Sequence, residues 1–191
     1  MSHYPILALT YTDSARADET LRRIALALLE RGWNLAGLIQ HNQPRPGRAR
    51  CDMVLEELAS GALVAISEDR GPSARGCALE VGQLLHATEI ARAALQGRPD
   101  AIILNKFGKA ESEGGGFRDL IAEAIETGIP LLIAVPFRNL ESWRAFSGDL
   151  AREVPQDAEE GAEALILAHL AGTAKVASTP SDEQMQTPVI G

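Results

Sequence analysis

Short apolar runs alternate along this chain with segments in which apolar residues recur at helical spacing. A short apolar run predicts a buried strand, and a recurrence every third or fourth residue predicts a helix. Strands that alternate with helices form a mainly parallel sheet. We therefore expect an α/β fold, with a mainly parallel central sheet covered by helices on both faces. The predicted strands are residues 5–9, 33–40, 101–104 and 130–135, and the predicted helices after the second strand are residues 79–95, 117–126, 140–146 and 158–170.

The first of these units is a strand, a polar loop at residues 10–17, a helix and a second strand. Helical spacing starts at Leu21 and ends at Gly32, which is a typical stop signal. Ser14 or Asp18 is the candidate N-cap, because a short polar side chain can accept a hydrogen bond from a free backbone N–H. Two parallel strands joined by a helix need a right-handed crossover.

A further pair of apolar segments, residues 52–58 and 63–67, flanks the small and polar residues 59–62. This spacing predicts a β-hairpin inserted into the sheet. The alternative is that a helix begins at Val54. The polar loops on either side of the predicted hairpin are residues 41–50 and 68–76.

The chain has 191 residues, which is enough for one domain with a full core. We expect a single α/β domain at residues 1–172. Residues 173–191 are rich in Thr, Ser, Pro and Gln and are predicted to be a disordered tail. The edge of a short exposed strand, or the helix predicted at residues 158–170, is a candidate surface for forming a homo-oligomer.

Charge and hydropathy argue against several classes of partner. The formal net charge of −8 disfavours broad binding to nucleic acid or to an anionic membrane, which needs a basic surface. No apolar run approaches the roughly 20 residues of a membrane span, and no secretory signal is visible at the N-terminus. Cys51 and Cys77 are the only cysteines and are expected to be reduced thiols. We expect a cytoplasmic protein.

Two lysines follow the third predicted strand directly. In open α/β sheets, ligands bind beyond the carboxyl ends of the strands. Asn105, Lys106 and Lys109 are therefore candidates for binding a small anionic ligand. One alternative is that the lysines are ordinary solvated side chains. Another is that Glu111 and Glu113 pair with them, which would make the group structural.

The polar loop after the first strand occupies the place of a phosphate-binding loop, G-x-x-x-x-G-K-[ST]. Residues 10–17 contain no glycine and no lysine, and Asp18 brings negative charge to the helix start. A capped helix entry is therefore favoured over a triphosphate site. Thr12, Ser14 and Arg16 remain candidates for holding a smaller anion, since free N–H groups at a helix start attract one.

Both polar loops beside the predicted hairpin are rich in arginine. Guanidinium groups suit phosphate and similar tetrahedral oxyanions. Arg48 and Arg75 are therefore anion-binding candidates if the two loops fold over the carboxyl edge of the sheet, and solvated loop charge is the alternative. The arginines of the two loops are Arg45, Arg48, Arg50, Arg70 and Arg75.

His41, Cys51, Asp52 and Cys77 are chemically acceptable ligands for zinc or a softer metal. Their spacing matches no standard zinc pattern. Two free thiols at Cys51 and Cys77 are the favoured alternative.

The order strand, helix, strand, hairpin and a strand ending in Asn-Lys-Phe-Gly-Lys-Ala-Glu resembles small nucleoside-triphosphatases that end this strand in Asp-Glu-Ile-Gly-Lys-Met-Glu. Over about residues 5–150, the chain more closely resembles an uncharacterised bacterial family related to those P-loop proteins. Members of that family are sometimes linked by annotation to molybdenum or nitrogenase gene sets. The motifs that carry the likeness are Gly-Leu-Ile-Gln at residues 37–40, Cys-Asp-Met-x-Leu at 51–55, Gly-Cys-x-Leu at 76–79, Asn-Lys-Phe-Gly-Lys at 105–109 and Trp-x-x-Phe at 143–146.

The resemblance implies a P-loop-like fold without magnesium-dependent hydrolysis. Transfer of the triphosphatase roles would need a loop lysine, a metal-binding aspartate and a catalytic glutamate, where this chain has Asp18, Asn105 and Lys106. We therefore expect a non-hydrolysing protein, without magnesium, that binds a nucleotide, phosphate or a molybdate-like oxyanion. The alternatives are an unconventional nucleoside-triphosphatase and a metal or redox regulatory module that uses the two cysteines. The residues that keep the triphosphatase pattern are Gly108, Lys109 and Glu111.

Overall fold

A seven-stranded sheet forms the centre of the protein. The computed structural model describes residues 4–44, 51–68 and 78–177. In chain order, the elements in those ranges are β1 (Ile6–Tyr11), α1 (Ser14–Glu30), β2 (Leu35–Pro44), β3 (Cys51–Glu57), β4 (Leu63–Ala65), β5 (Ser67–Glu68), β6 (Ala78–Leu79), α2 (Val81–Leu95), β7 (Ala101–Leu104), α3 (Lys109–Ser112), α4 (Arg118–Thr127), β8 (Leu131–Pro136), α5 (Leu140–Ser147), β9 (Ala151–Pro155) and α6 (Ala162–Ala177).

The strands of the sheet lie in the order β4-β3-β2-β7-β8-β1-β9. From β2 to β9 each strand is parallel to its neighbour, whereas β3 and β4 extend the β2 edge in antiparallel pairing. The predicted α/β fold and the inserted hairpin are therefore confirmed. The alternative of a helix beginning at Val54 is wrong, because Val54 pairs with His41 of β2 and with Ala65 of β4.

Both faces of the sheet are covered by helices. Alternate residues of the parallel strands point to opposite faces, so Ile102 and Leu104 belong to one buried cluster and Ile103 to the other. The helices α2, α4 and α5 contribute to the first cluster, and α1 and α6 to the second. Every residue of β7 and β8 is buried, as expected for central strands of a parallel sheet.

Several predicted boundaries are corrected by the structure. The first strand includes Tyr11, and α1 begins at Ser14 with Asp13 as its N-cap, so neither Ser14 nor Asp18 caps the helix. The strand β2 continues to Pro44, where a loop was predicted, and Glu68 lies in β5. These differences arise because backbone pairing continues through polar residues that carry no apolar signal.

The last helix ends later than predicted. Apolar spacing indicated a helix at residues 158–170, whereas α6 extends to Ala177 and therefore includes the first residues of the predicted tail. Residues 178–191 lie outside the described ranges, and the division of the chain into a domain and a tail stays a prediction.

Four elements have no clear sequence signal: the paired short strands β5 and β6, the helix α3 and the strand β9. In β9 only Val154 is buried, so no apolar run marks the strand. It forms by pairing in parallel with β1, and the Glu153 carboxylate also accepts two hydrogen bonds from Arg144, at 2.8 and 2.7 Å. None of the helices in the described part of the chain is long and apolar enough to cross a membrane.

Gly37 shows why the Gly-Leu-Ile-Gln motif begins with glycine. Its φ is +115°, and a Cβ at this position would overlap the backbone carbonyl of Ile103, its partner on β7. Only a residue without a side chain allows β2 and β7 to approach this closely.

We expect Gly37→Ala to reduce the free energy of unfolding by at least about 2 kcal/mol, because the added methyl group must push two central strands apart. Gly32→Ala is the control. Gly32 also has a positive φ, of +80°, but a Cβ there meets nothing within 4 Å. The control should lose only about 1 kcal/mol of unfolding free energy, which is the cost of a positive φ for a residue that has a Cβ. Urea unfolding of both variants tests this, and equal losses would contradict the steric explanation.

Candidate functional site

Two clefts open where the parallel strands end. The first, which we call the lysine cleft, has a volume of about 230 Å³ and adjoins the loop after β7. Its wall is mostly apolar and comes from the hairpin, α2 and the start of α4, whereas its polar groups come from β2 and the loop. The apolar side chains include Met53, Leu55, Ile66, Leu84 and Phe117, and the polar ones include Gln40, Asn105, Lys106 and Lys109.

Asn105 is the first residue after β7 and is only 2% exposed. Its backbone N–H donates to the Leu38 carbonyl at 2.9 Å, so β2 holds the residue in place. Its side-chain Nδ2 donates to Asp18 Oδ1 at 2.7 Å. This bond joins the end of β7 to the first turns of α1, and it uses two of the positions at which the chain differs from nucleoside-triphosphatases.

Phe107 attaches the loop after β7 to the aromatic side chains of α5. Its ring is fully buried and lies 5.1 Å from the Trp143 ring, in an edge-on arrangement, and 5.7 Å from the Phe146 ring. Its carbonyl accepts a hydrogen bond from Asn139 at 3.0 Å. The Trp-x-x-Phe motif is therefore structural, because α5 uses it to hold the lysine-bearing loop on the sheet.

Glu111 holds the rest of the loop together. Its carboxylate accepts hydrogen bonds from the backbone N–H groups of Gly108, at 2.7 Å, and Phe117, at 2.9 Å. Burial raises the pKa of Glu111 above its ordinary value, whereas those two N–H groups and the Lys106 charge act to lower it. Gly116 has a φ of +60°, and a Cβ there would overlap this carboxylate. Gly116 thus lets the backbone pass close to this buried carboxylate.

The two lysines differ in their surroundings. Lys109 is exposed, and its ammonium lies 3.6 Å from the Glu113 carboxylate. Lys106 is half-buried at the cleft and forms no salt bridge within the part of the chain that the structure describes. The expected pairing is therefore confirmed for Lys109 and Glu113 and is wrong for Glu111, which binds backbone groups instead. Lys106 is the stronger candidate for a ligand.

The start of α1 has no space for a phosphate-binding loop. Only Thr12 and Asp13 separate β1 from α1. The Asp13 carboxylate accepts the Arg16 backbone N–H at 3.1 Å, and so occupies a donor that an anion would use. The Gln156 side chain accepts a hydrogen bond from the Asp13 backbone N–H at 3.4 Å and donates one to the Asp13 carbonyl at 3.0 Å. The helix start is therefore closed by the protein's own groups.

The second cleft, which we call the Arg138 cleft, has a volume of about 240 Å³ and lies where β1 and β8 end. Burial raises the pKa of Tyr11 to about 12, so its hydroxyl stays protonated near neutral pH. Arg138 and the exposed Phe137 were not predicted as site residues. The sequence signal for them is their position directly after a buried strand. The cleft is lined by Tyr11, Thr12, Ser14, Pro136, Phe137 and Arg138.

The predicted anion-binding residues therefore lie in different places. Asn105, Lys106 and Lys109 line the lysine cleft, Thr12 and Ser14 line the Arg138 cleft, and Arg16 is exposed on α1 and is in the lining of neither. Arg48, Arg75 and Cys77 lie outside the described residues, as does the Cys51 side chain. No group of three or more potential metal ligands occurs in the described ranges, and the roles of all these residues stay predictions.

Comparison with known proteins identifies the relatives of this chain. The profile of the family described as protein of unknown function (DUF2478) matches residues 6–163. The molybdenum import ATP-binding protein ModC 2 of Bradyrhizobium diazoefficiens is 32% identical over 145 residues, which are 76% of this chain and 16% of that protein. The chain thus spans less than a fifth of its curated relative. No solved structure matches it at a significant level. The fold is P-loop-NTPase-like.

The raised pKa of Glu111 predicts a pH dependence. Since the folded protein binds this proton more tightly than the unfolded chain, the stability contributed by Glu111 is complete below its unfolded pKa and is lost as pH rises through the folded pKa. Glu111→Gln removes this titration and turns an amide N–H₂ toward a backbone N–H. We expect it to lower the free energy of unfolding by about 1–3 kcal/mol in acid, and by less as pH rises.

Urea unfolding across about pH 4–8 measures this difference. Glu113→Gln is the matched control, because it makes the same change on an exposed side chain two residues away. A gap between wild type and Glu111→Gln that widens with rising pH would contradict the assignment.

Proposed function

Since this chain belongs to the DUF2478 family and has a P-loop-NTPase-like fold, we propose that it binds a small anionic ligand in the lysine cleft without hydrolysing it. We propose a nucleotide as the ligand, in preference to free phosphate or a molybdate-like oxyanion. The binding would take place in the cytoplasm, where the two cysteines would stay reduced thiols.

The position of Lys106 is the observation that carries this proposal. This half-buried residue lies at the carboxyl edge of a parallel sheet, where such folds bind ligands. Within the described ranges it has no carboxylate partner at ion-pair distance. Lys109 is exposed and already paired with Glu113, so Lys106 supports anion binding better.

The wall of the cleft favours a nucleotide over a bare oxyanion. A tetrahedral oxyanion needs several hydrogen-bond donors and gains nothing from apolar surface, whereas Leu55, Ile66, Leu84 and Phe117 form most of this wall. A volume of about 230 Å³ is below the roughly 300–1,000 Å³ typical of sites for drug-sized ligands. The cleft therefore suits a ring of the size of a nucleobase, with the charged part of the ligand at the lysines.

The arrangement of charge supports binding without hydrolysis. Asp18, Asn105 and Lys106 stand where a triphosphatase of the related kind has a lysine, an aspartate and a glutamate. Asp18 bonds to Asn105, so this carboxylate adjoins the place where such a protein would hold magnesium. Asp13 also caps the helix start that would bind the outer phosphates. The magnesium shell and the phosphate cradle thus both lack their usual groups.

The curated relative is consistent with two of the proposed ligands. Its printed name includes both ATP binding and molybdenum import. That name supports both a nucleotide and a molybdate-like oxyanion, and the apolar wall of the cleft favours the nucleotide. A link to molybdenum metabolism forms part of the proposal.

We expect Lys106→Gln to weaken binding of ATP or GTP about tenfold or more, because a charge-assisted contact of about 1.5–3 kcal/mol is lost. Its melting temperature should change little. Arg152→Gln is the control, since Arg152 is an exposed cation on the edge strand β9. Titration calorimetry at low salt, with phosphate, molybdate and tungstate as further ligands, measures the affinities.

A lower melting temperature with unchanged affinity would make Lys106 structural and contradict the proposal. Release of phosphate from ATP or GTP by the wild type, lost in Lys106→Gln, would show a hydrolase instead. A metal-free phosphate-release assay beside one with magnesium completes the test.

A further inference from the structure

The side chain of Asn105 has a buried acceptor without a partner. The residue is 2% exposed, and its Oδ1 accepts no hydrogen bond and is closed to solvent. Buried polar atoms in folded proteins are nearly always hydrogen-bonded, and an unpaired one is costly. Together with Trp143 Nε1, this is one of two such side-chain atoms in the described ranges. Trp143 belongs to the aromatic support of the loop, whereas Asn105 lines the lysine cleft.

The Asp18 carboxylate fixes which end of the amide is unpaired. An ionised carboxylate only accepts hydrogen bonds, so the Asn105 group that lies 2.7 Å from Asp18 Oδ1 must be the N–H₂ end. The reverse orientation would bring two oxygen acceptors together at that distance. Oδ1 is therefore the end that lacks a partner, and only a hydrogen-bond donor can satisfy it.

The surroundings of Asn105 indicate the shape of the missing donor. The side chains of Leu55, Ile66 and Phe117 line the same cleft, and they suit the faces of a flat ring. A second buried amide, Gln40, is 8% exposed and also lines the cleft. An amide beside an apolar wall can recognise the polar edge of a nitrogen heterocycle, since it both donates and accepts.

We propose, on the basis of the binding function above, that the lysine cleft recognises a nitrogen heterocycle that donates an N–H to Oδ1 of Asn105, an atom that ligand binding must first expose. The donor is a ring N–H or an exocyclic amino group of a purine or pyrimidine base. The anionic part of the same ligand lies at Lys106. Asp18 is then a positioning residue, because it holds the Asn105 amide in the orientation that accepts.

A series of ligands tests this inference on the wild-type protein. Titration calorimetry compares AMP, GMP, CMP and UMP with ribose phosphate, which has the anion but no ring. Each nucleotide is also compared with an analogue whose donor is removed or methylated, such as purine riboside monophosphate for AMP. We expect at least one nucleotide to bind about tenfold or more tightly than ribose phosphate, and its donor-free analogue to lose about tenfold.

Asp18→Asn supplies a second test that keeps Asn105 in place. An amide at position 18 can donate as well as accept, so the Asn105 amide becomes free to turn over. We expect the preference for the donor-bearing nucleotide over its analogue to fall toward one in this variant, with Lys106→Gln retaining the preference. Melting temperatures of the variants confirm that they are folded.

The two proposals fail in different ways. Equal affinity for nucleotides and ribose phosphate, lowered by Lys106→Gln, would overturn ring recognition and leave anion binding intact. Tight binding of a nucleotide whose donor-free analogue binds equally well would overturn the role of Asn105. If neither the nucleotides nor ribose phosphate binds, both proposals are wrong.

Discussion

The loop after β7 depends on one buried carboxylate. Glu111 accepts hydrogen bonds from Gly108 at one end of the segment and from Phe117 at the other. Without those bonds, two backbone N–H groups and an acid would be buried unpaired, which proteins rarely tolerate. The bonds also fix where α3 begins and where α4 begins. The positions of both lysines follow from this arrangement, since Lys106 lies between β7 and Gly108, and Lys109 lies between Gly108 and Phe117.

The same edge of the sheet shows how a change of a few charges alters what a fold can do. Asp18 bonds to Asn105, and Lys106 follows directly. A carboxylate and a cation thus lie close together at this edge. The parallel strands and the aromatic contacts of Phe107 set the backbone that presents these groups. Fold and chemistry are therefore separable in this protein.

Much of the fold could be predicted from the sequence, because burial on both faces forces continuous apolar runs in the central strands. The strands β7 and β8 follow this rule, and α4 between them shows helical spacing. The prediction of element boundaries was less accurate where several neighbouring residues carried the same local signal. Asp13, Ser14 and Asp18 are all good N-cap residues, and only the length of β1 decides that Asp13 is used. β9 had no signal, since its pairing with β1 depends on residues distant in sequence.

The site was predictable in part for the same reason. A polar segment after a buried strand indicated Asn105 and Lys106, and both line the lysine cleft, while their role in binding stays a prediction. Nothing in the sequence indicated that Thr12 and Ser14 would lie at the other cleft, where the structure places them. Glu111 looked like a partner for lysine, because sequence shows its charge but not its burial. The apolar wall was missed, since its residues come from three elements whose contacts only the tertiary fold creates.

The short connection between β1 and α1 has an evolutionary consequence. Two residues bridge the strand and the helix, and the Gln156 amide binds the second of them through its backbone. Substitutions alone cannot turn so short a connection into a phosphate-binding loop, whose G-x-x-x-x-G-K-[ST] pattern has eight residues. Several residues would have to be inserted, and the hydrogen bonds between the Gln156 side chain and the Asp13 backbone would be lost. In this geometry, a phosphate-binding loop of that pattern would need an insertion as well as substitutions.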